Sequence, residues 1–331
     1  MNRETVLRSK RLIQRFCKNY NLPIAVYEEP YFTQRLAAID FLFDCVEKFD
    51  VYVEELRDFE TEEAYFEYYN KLKDTVITAI QGNSSFRAFD QRMFKAPDCS
   101  VGNKNLYTDL NDYASFYSID MKQANFSALH HFDPDIFSVE IDGATVTSYT
   151  WESYLQNFTQ YQHIINSKYI RQVILGACNP GKQIQYESYL MKTLYKHLVE
   201  TLGPLNVYSI NADEIILTVD NPNQEQFLKA DYSHFDLLRA VKSCPFGIGD
   251  LVRVEKFRLK KFGNAGWLKY GRIDKEHDAQ KIPVFKCVDA EIFHQVVKKY
   301  FHKPITEDDL VFYHNKRLAR FMEEIDPWKK D

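Results

Sequence analysis

Residues 207–219 read Val-Tyr-Ser-Ile-Asn-Ala-Asp-Glu-Ile-Ile-Leu-Thr-Val, so two adjacent carboxylates, Asp213 and Glu214, stand between two apolar half-strands. Few local structures accept that pattern. Four of the five residues after the pair are apolar (Ile215, Ile216, Leu217, Val219), so this half reads as a buried strand and the acidic centre as a tight hairpin turn. Adjacent carboxylates beside a buried hairpin are unfavourable unless a cation meets them. A matching stretch lies upstream, where Phe-Tyr-Ser-Ile-Asp (residues 116–120) is an apolar strand ending in one carboxylate, followed at once by an amphipathic run to Phe132. Taken alone, Asp120 also reads as an ordinary cap for a helix beginning at Met121. Two acidic strand ends are nonetheless what two-metal phosphoryl transfer requires. Its ions sit roughly 3.5–4 Å apart and are bridged by carboxylates.

The rest of the chain supplies a globular frame. Helical periodicity predicts helices over 1–20, 31–49 and 61–81, the last opened by Thr61-Glu62-Glu63. A loop is expected over 96–114 and a strand over 115–120. Helices are expected over 121–132, 148–162, 164–177, 182–202 and about 223–241. A strand at 249–262 returns at 266–273 through Gly263-Asn-Ala-Gly266, and a strand at 282–287, a helix at 290–300 and a last helix ending near Glu324 complete the order. This is an α+β pattern with a mostly antiparallel sheet. It divides into a helical lobe (1–95), a central part (96–245) and a basic C-terminal part (246–331).

Composition excludes several classes. Apolar residues make up 45% and charged residues 27% of the 331, which is ordinary for a folded protein. The six cysteines show no CxxC pair and the nine histidines no zinc-ligand spacing, so reduced thiols and no structural zinc are expected. The N-terminus has no apolar signal region and no run approaches a membrane span, so a soluble, intracellular protein without membrane contact is expected. Dinucleotide and P-loop glycine motifs are absent. The net charge of −5 hides a basic stretch, residues 253–272, with seven Lys and Arg against Glu255 alone. There Lys256, Arg258, Lys260, Lys261 and Lys269 alternate with aromatics. One face of such a hairpin could grip a nucleic-acid strand.

The first acidic stretch resembles motif A of the family A DNA polymerases, the group of bacterial DNA polymerase I and phage T7 DNA polymerase. Asp120, Gln123, Leu129, His131 and Phe132 hold that motif's places, and Asn125 stands where the family has Glu. Residues 207–219 look like motif C, with Ala212 in place of the usual His. The resemblance covers about a third of the chain, residues 110–220. It implies a polymerase-type palm with reduced fingers over 96–245, flanked by a thumb-like or partner-binding N-terminal lobe. It implies template-directed nucleotidyl transfer, with Asp120 and Asp213 holding two Mg²⁺ (Mn²⁺ as substitute) and Glu214 as accessory carboxylate.

By the same resemblance Gln123, Asn125 and His131 would face the nucleotide. The fingers cation would be Arg171, with Lys168 beside it. In a conflicting registration, Asn179 and Gln183 would be the pair that contacts the template–primer minor groove. Partners would be a primer–template, nucleoside triphosphates and other subunits of a replication or transcription complex. Asn125 leaves the sugar unnamed, because the Glu it replaces packs against the sugar in DNA-making members. No proofreading domain is recognisable. Two further readings stay open: a non-catalytic nucleic-acid-binding accessory subunit on a degenerate palm, and an RNA polymerase or primase-like enzyme.

Overall fold

Helices occupy the chain up to residue 91, and strands begin at 115. The computed structural model describes residues 1–223, 232–273 and 282–324. The helical part comprises α1 (Arg3–Arg8), α2 (Lys10–Asn19), α3 (Tyr31–Phe43), α4 (Cys45–Glu55), α5 (Glu62–Gly82) and α6 (Ser84–Gln91). The helix expected over 1–20 breaks at Ser9, whose hydroxyl accepts from the Leu12 amide and so caps α2. The one expected over 31–49 breaks at Asp44, held at φ 49°, and its second half runs on to Glu55. Thr61 caps α5 as its sequence predicts, accepting from the Ala64 amide at 3.1 Å.

Next come β1 (Ser115–Met121), α7 (Ala124–Phe132), β2 (Ser138–Ile141), β3 (Ala144–Thr147), α8 (Trp151–Leu155), α9 (Gln162–Ile165), α10 (Lys168–Gly176) and α11 (Pro180–Leu202). Then follow β4 (Val207–Ile210), β5 (Glu214–Asp220), α12 (His234–Lys242), α13 (Ile248–Leu251), β6 (Val252–Phe262), β7 (Gly266–Ile273), β8 (Val284–Lys286), α14 (Phe293–Tyr300), β9 (Val311–His314) and β10 (Arg317–Arg320). Part of the helical stretch expected at 223–241 lies outside the described residues.

Six strands form one antiparallel sheet in the order β4-β5-β1-β6-β7-β8. Strand alternation splits its side chains between two layers. Tyr117, Ile119, Met121, Ile215, Leu217, Val252 and Val254 belong to the large core shared with the helices. On the opposite face Phe116, Ile216, Phe257, Leu259 and Trp267 form a second cluster, covered by Leu106 and Tyr107 of the preceding loop. The fold is thus α+β with an antiparallel sheet.

Three expectations need correction. The segment expected to end in a helix near Glu324 is the hairpin β9–β10. Asn315 and Lys316 both sit at positive φ, as a two-residue hairpin turn demands, and Val311, Phe312 and Tyr313 suit a strand. The expected helices over 148–162 and 164–177 shorten to α8, α9 and α10. Finally, β6 and β7 are no part of a separate basic lobe. β6 pairs along the whole of β1, so a boundary at 245 would cut one continuous sheet.

Candidate active site

The two acidic strand ends meet. The Met121 amide donates to the Asp213 carbonyl at 2.8 Å, which sets the hairpin turn against the end of β1. Within the ladder Asp120 lies opposite Glu214 on one side and Arg253 on the other. Cross-strand partners project from the same face, so these three side chains share a surface. Arg253 reaches the Asp120 carboxylate at 3.5 Å, and the Ser118 hydroxyl donates to Glu214 Oε1 at 2.5 Å.

Asp120 is not a helix cap. Helix α7 starts only at Ala124, and Gln123 precedes it in the left-handed region at φ 47°. Three residues therefore separate the carboxylate from the first helical position, and no backbone amide of α7 occupies it. Burial and the facing charge of Glu214 push the Asp120 carboxyl up to about 6; Arg253 opposes this, Asp213 adds to it, and Lys269 opposes it more weakly. The site is short of positive charge.

A fourth carboxylate was not anticipated. Glu187 lies on α11, which packs against β5. It is 5% exposed, and its Oε1 has no hydrogen-bond partner among the described residues. Burial first, and then the charge of Asp213, push it up to about 7. Asn211, in the hairpin turn, also has a buried Oδ1 without a donor among the described residues. The signal for Glu187 was present in the sequence. It interrupts the buried stripe Tyr186, Leu190, Met191, Leu194 and Leu198 of an amphipathic helix, where a carboxylate is out of place.

Among the described residues no three His, Cys, Asp or Glu side chains are gathered closely enough to chelate an ion. Mg²⁺ does not need three. It takes one or two protein carboxylates and fills its octahedron with water and substrate phosphate oxygens. An all-oxygen set on two adjacent strands, with Asp120 raised by burial and by its acidic neighbours and oxygens left unpartnered nearby, fits a hard divalent cation.

The other predicted residues fall into groups. Gln123 donates to Glu152 Oε1 at 3.2 Å. Burial lowers the Arg171 guanidinium and the Glu152 carboxylate partly offsets this; among the described residues Arg171 Nε has no hydrogen-bond partner. Lys168 is exposed on the first turn of α10. Gln123, Glu152 and Arg171 are therefore neighbours at the Asp120 end of α7.

The minor-groove registration does not survive. Gln183 is 1% exposed, and its amide donates to the carbonyls of Leu175 at 2.7 Å and Cys178 at 2.6 Å while its oxygen accepts from Asn125 at 3.4 Å. It ties off the end of α10 and faces no strand. Asn179 caps α11, accepting from the Lys182 amide, and its own amide holds Asp90. His131 lies about 10 Å along α7 from its start and bridges the Tyr186 hydroxyl and the Phe246 carbonyl, away from the carboxylates.

The cationic grip is also thinner than expected. Lys269 is buried against the Phe257 ring, 4.2 Å from its centroid, where burial lowers its pKa and Glu214, Glu255 and Asp120 support its charge. It is an internal counter-charge for the acidic end. Lys261 pairs with Asp109 at 2.8 Å, Lys256 lies over Tyr117, Lys260 is half-buried, and exposed Arg258 donates to Ser115 Oγ at 3.2 Å.

No protein-family model, curated protein or solved structure matches the chain. Among the described residues, no helix is long and apolar enough to cross a membrane.

Proposed function

We propose that this protein extends a nucleic-acid 3′ end by template-directed nucleotidyl transfer. The observation that carries this reading is the meeting of Asp120 with Asp213 and Glu214 at one end of an antiparallel sheet, with more negative charge than the local cations balance. Asp120 and Asp213 would hold the divalent ions, with Glu214 beside them. When bound, such ions favour ionisation of an attacking hydroxyl and shelter the charge that develops on the leaving phosphate.

The chain's own residues do the positioning. Arg253 at 3.5 Å from Asp120 and buried Lys269 counter part of the proton affinity that crowding gives the cluster, so that Asp120 is mostly ionised at neutral pH. Ser118 holds Glu214 through Oε1. Arg171, linked to Gln123 through Glu152, and Lys168 one turn before it on α10 would meet a triphosphate bound beside Gln123. Fixed groups of this kind lower a barrier by orientation and by charge placed where it develops.

Primer extension with dNTPs against NTPs, with and without template, tests the proposal. Mg²⁺-dependent, template-coded incorporation is expected, lost in Asp213→Asn while nucleic-acid binding persists. Binding without incorporation by the wild type would replace this reading with that of an accessory nucleic-acid-binding subunit. Full activity in Asp213→Asn would remove it altogether.

A further inference from the structure

A cleft of about 330 Å³ lies at the C-terminal end of α7, between the 92–95 segment, α11 and the Phe246 turn. The carboxylate site uses none of its side chains. Its wall is aromatic. Phe94 and Tyr186 are 4.4 Å apart between centroids, and Tyr189 lies nearly parallel to Tyr186 at 12°. His131 holds this wall rigid, with one ring nitrogen on the Tyr186 hydroxyl at 2.9 Å and the other on the Phe246 carbonyl at 2.7 Å.

At the mouth two large apolar side chains face solvent, Met93 at 85% and Phe246 at 80% exposure. Phe246 has φ 62°, a conformation disfavoured for an aromatic residue, and the His131 contact to its carbonyl helps hold it there. Burial of its own ring does not explain this placement. The rim carries Arg92 and Lys95, both exposed and, among the described residues, without an acidic partner. Among the described residues no carboxylate lines the cleft.

We propose that this cleft receives one unpaired nucleotide of a single-stranded nucleic acid, its base against Phe246 and the aromatic wall and its flanking phosphates on Arg92 and Lys95. The volume is near the lower limit of ligand pockets, roughly 300–1,000 Å³, which suits one ring system rather than a helix. Aromatic platforms beside unneutralised cations are how single strands are held without sequence preference. Two separate cations on the rim favour a strand, with a phosphate on each side of its base, over a free nucleotide with phosphates at one end only. The proposal rests on the reading above that the chain acts on nucleic acid, and it gives that reading a seat for the unpaired strand.

The test is fluorescence anisotropy of a labelled single-stranded oligonucleotide against the full chain, with a mononucleotide as competitor. Phe246→Ala is expected to weaken strand binding about tenfold, since a stacked base contributes that order of affinity. Arg92→Ala with Lys95→Ala should also lower the salt dependence of log K by about 1 to 2. All three side chains are exposed, so unchanged thermal melting of the variants verifies their folding. Asp213→Asn should bind the strand like wild type. Loss of strand binding in the cleft variants of a protein that incorporates nothing would support the cleft and sink the catalytic reading. Undiminished binding in the cleft variants, or a mononucleotide that binds as tightly as the strand, would overturn the cleft proposal and leave the catalytic one standing.

Discussion

Two sites in this molecule place carboxylates against its core and behave oppositely. In the helical lobe Glu55 accepts from the Gln162 amide at 2.5 Å, the His163 amide at 3.0 Å and His163 Nδ1 at 2.5 Å, while His163 Nε2 meets the Tyr65 hydroxyl at 3.1 Å. Burial tends to raise Glu55, but the bonds from His163 and Gln162 outweigh it and hold it below the usual carboxylate range. Burial likewise lowers His163, which fixes a neutral ring that donates through Nδ1 and accepts through Nε2. At the sheet end the opposite holds. Asp120 and Glu187 are raised, and among the described residues Glu187 Oε1 has no donor. The first cluster is complete, and its role is structural. The second has more carboxylates than Arg253 and Lys269 balance, the kind of perturbed cluster found where a charged ligand binds.

Substitutions should separate the two. The largest effect is expected from Asp120→Asn or Asp213→Asn, which should lower incorporation by about 10³-fold or more with no loss of thermal stability. Next, Glu55→Ala should destabilise the fold by about 1–3 kcal/mol, as expected when a buried donor loses its acceptor, while the surviving folded protein keeps its turnover. Urea denaturation beside an activity assay would show it. If Glu55→Ala proved neutral for stability, the contrast drawn here would fail on its structural side.

Glu187 gives an effect of the other sign. Its folded pKa of about 7 stands above the value of 4.5 for a free glutamate, so the folded state holds more protons between those limits. Stability should therefore fall as pH rises through about 4.5 to 7, with the penalty complete above 7. Glu187→Gln should remove that slope and gain about 2–3 kcal/mol at pH 8; denaturation curves at pH 5 and pH 8 would measure it. Smallest is a metal effect. Millimolar Mg²⁺ should raise the melting temperature by a few degrees at pH 8 and by less at pH 5, where protons compete for Asp120. Equal shifts at both pH values would point to non-specific screening.

What could be read from the sequence was what neighbouring residues decide. The carboxylate hairpin, β1, the Thr61 cap and the long helix α11 all follow from alternation, periodicity or capping within a dozen residues. The misses depended on distant partners. Lys269 reads as one more cation on a basic hairpin until the sheet buries it near Glu214. Gln183 reads as a polar contact until the end of α10 arrives to take its amide. Glu187 is the instructive case, because its misfit on an apolar stripe was visible and only its neighbour Asp213, 26 residues further on, gives the misfit a purpose.

The pairing of β1 with β6 also has a consequence for how the protein is made. Arg253 reaches back across 133 residues to Asp120, so during synthesis the acidic end exists for a long interval without its guanidinium. Until β6 docks, β1 is an open sheet edge with an apolar face on each side, the kind of surface that recruits stray strands. A chain ending before residue 252 would keep every carboxylate of the site and would still be prone to aggregate, because the same late strand both offsets part of that charge and closes the edge.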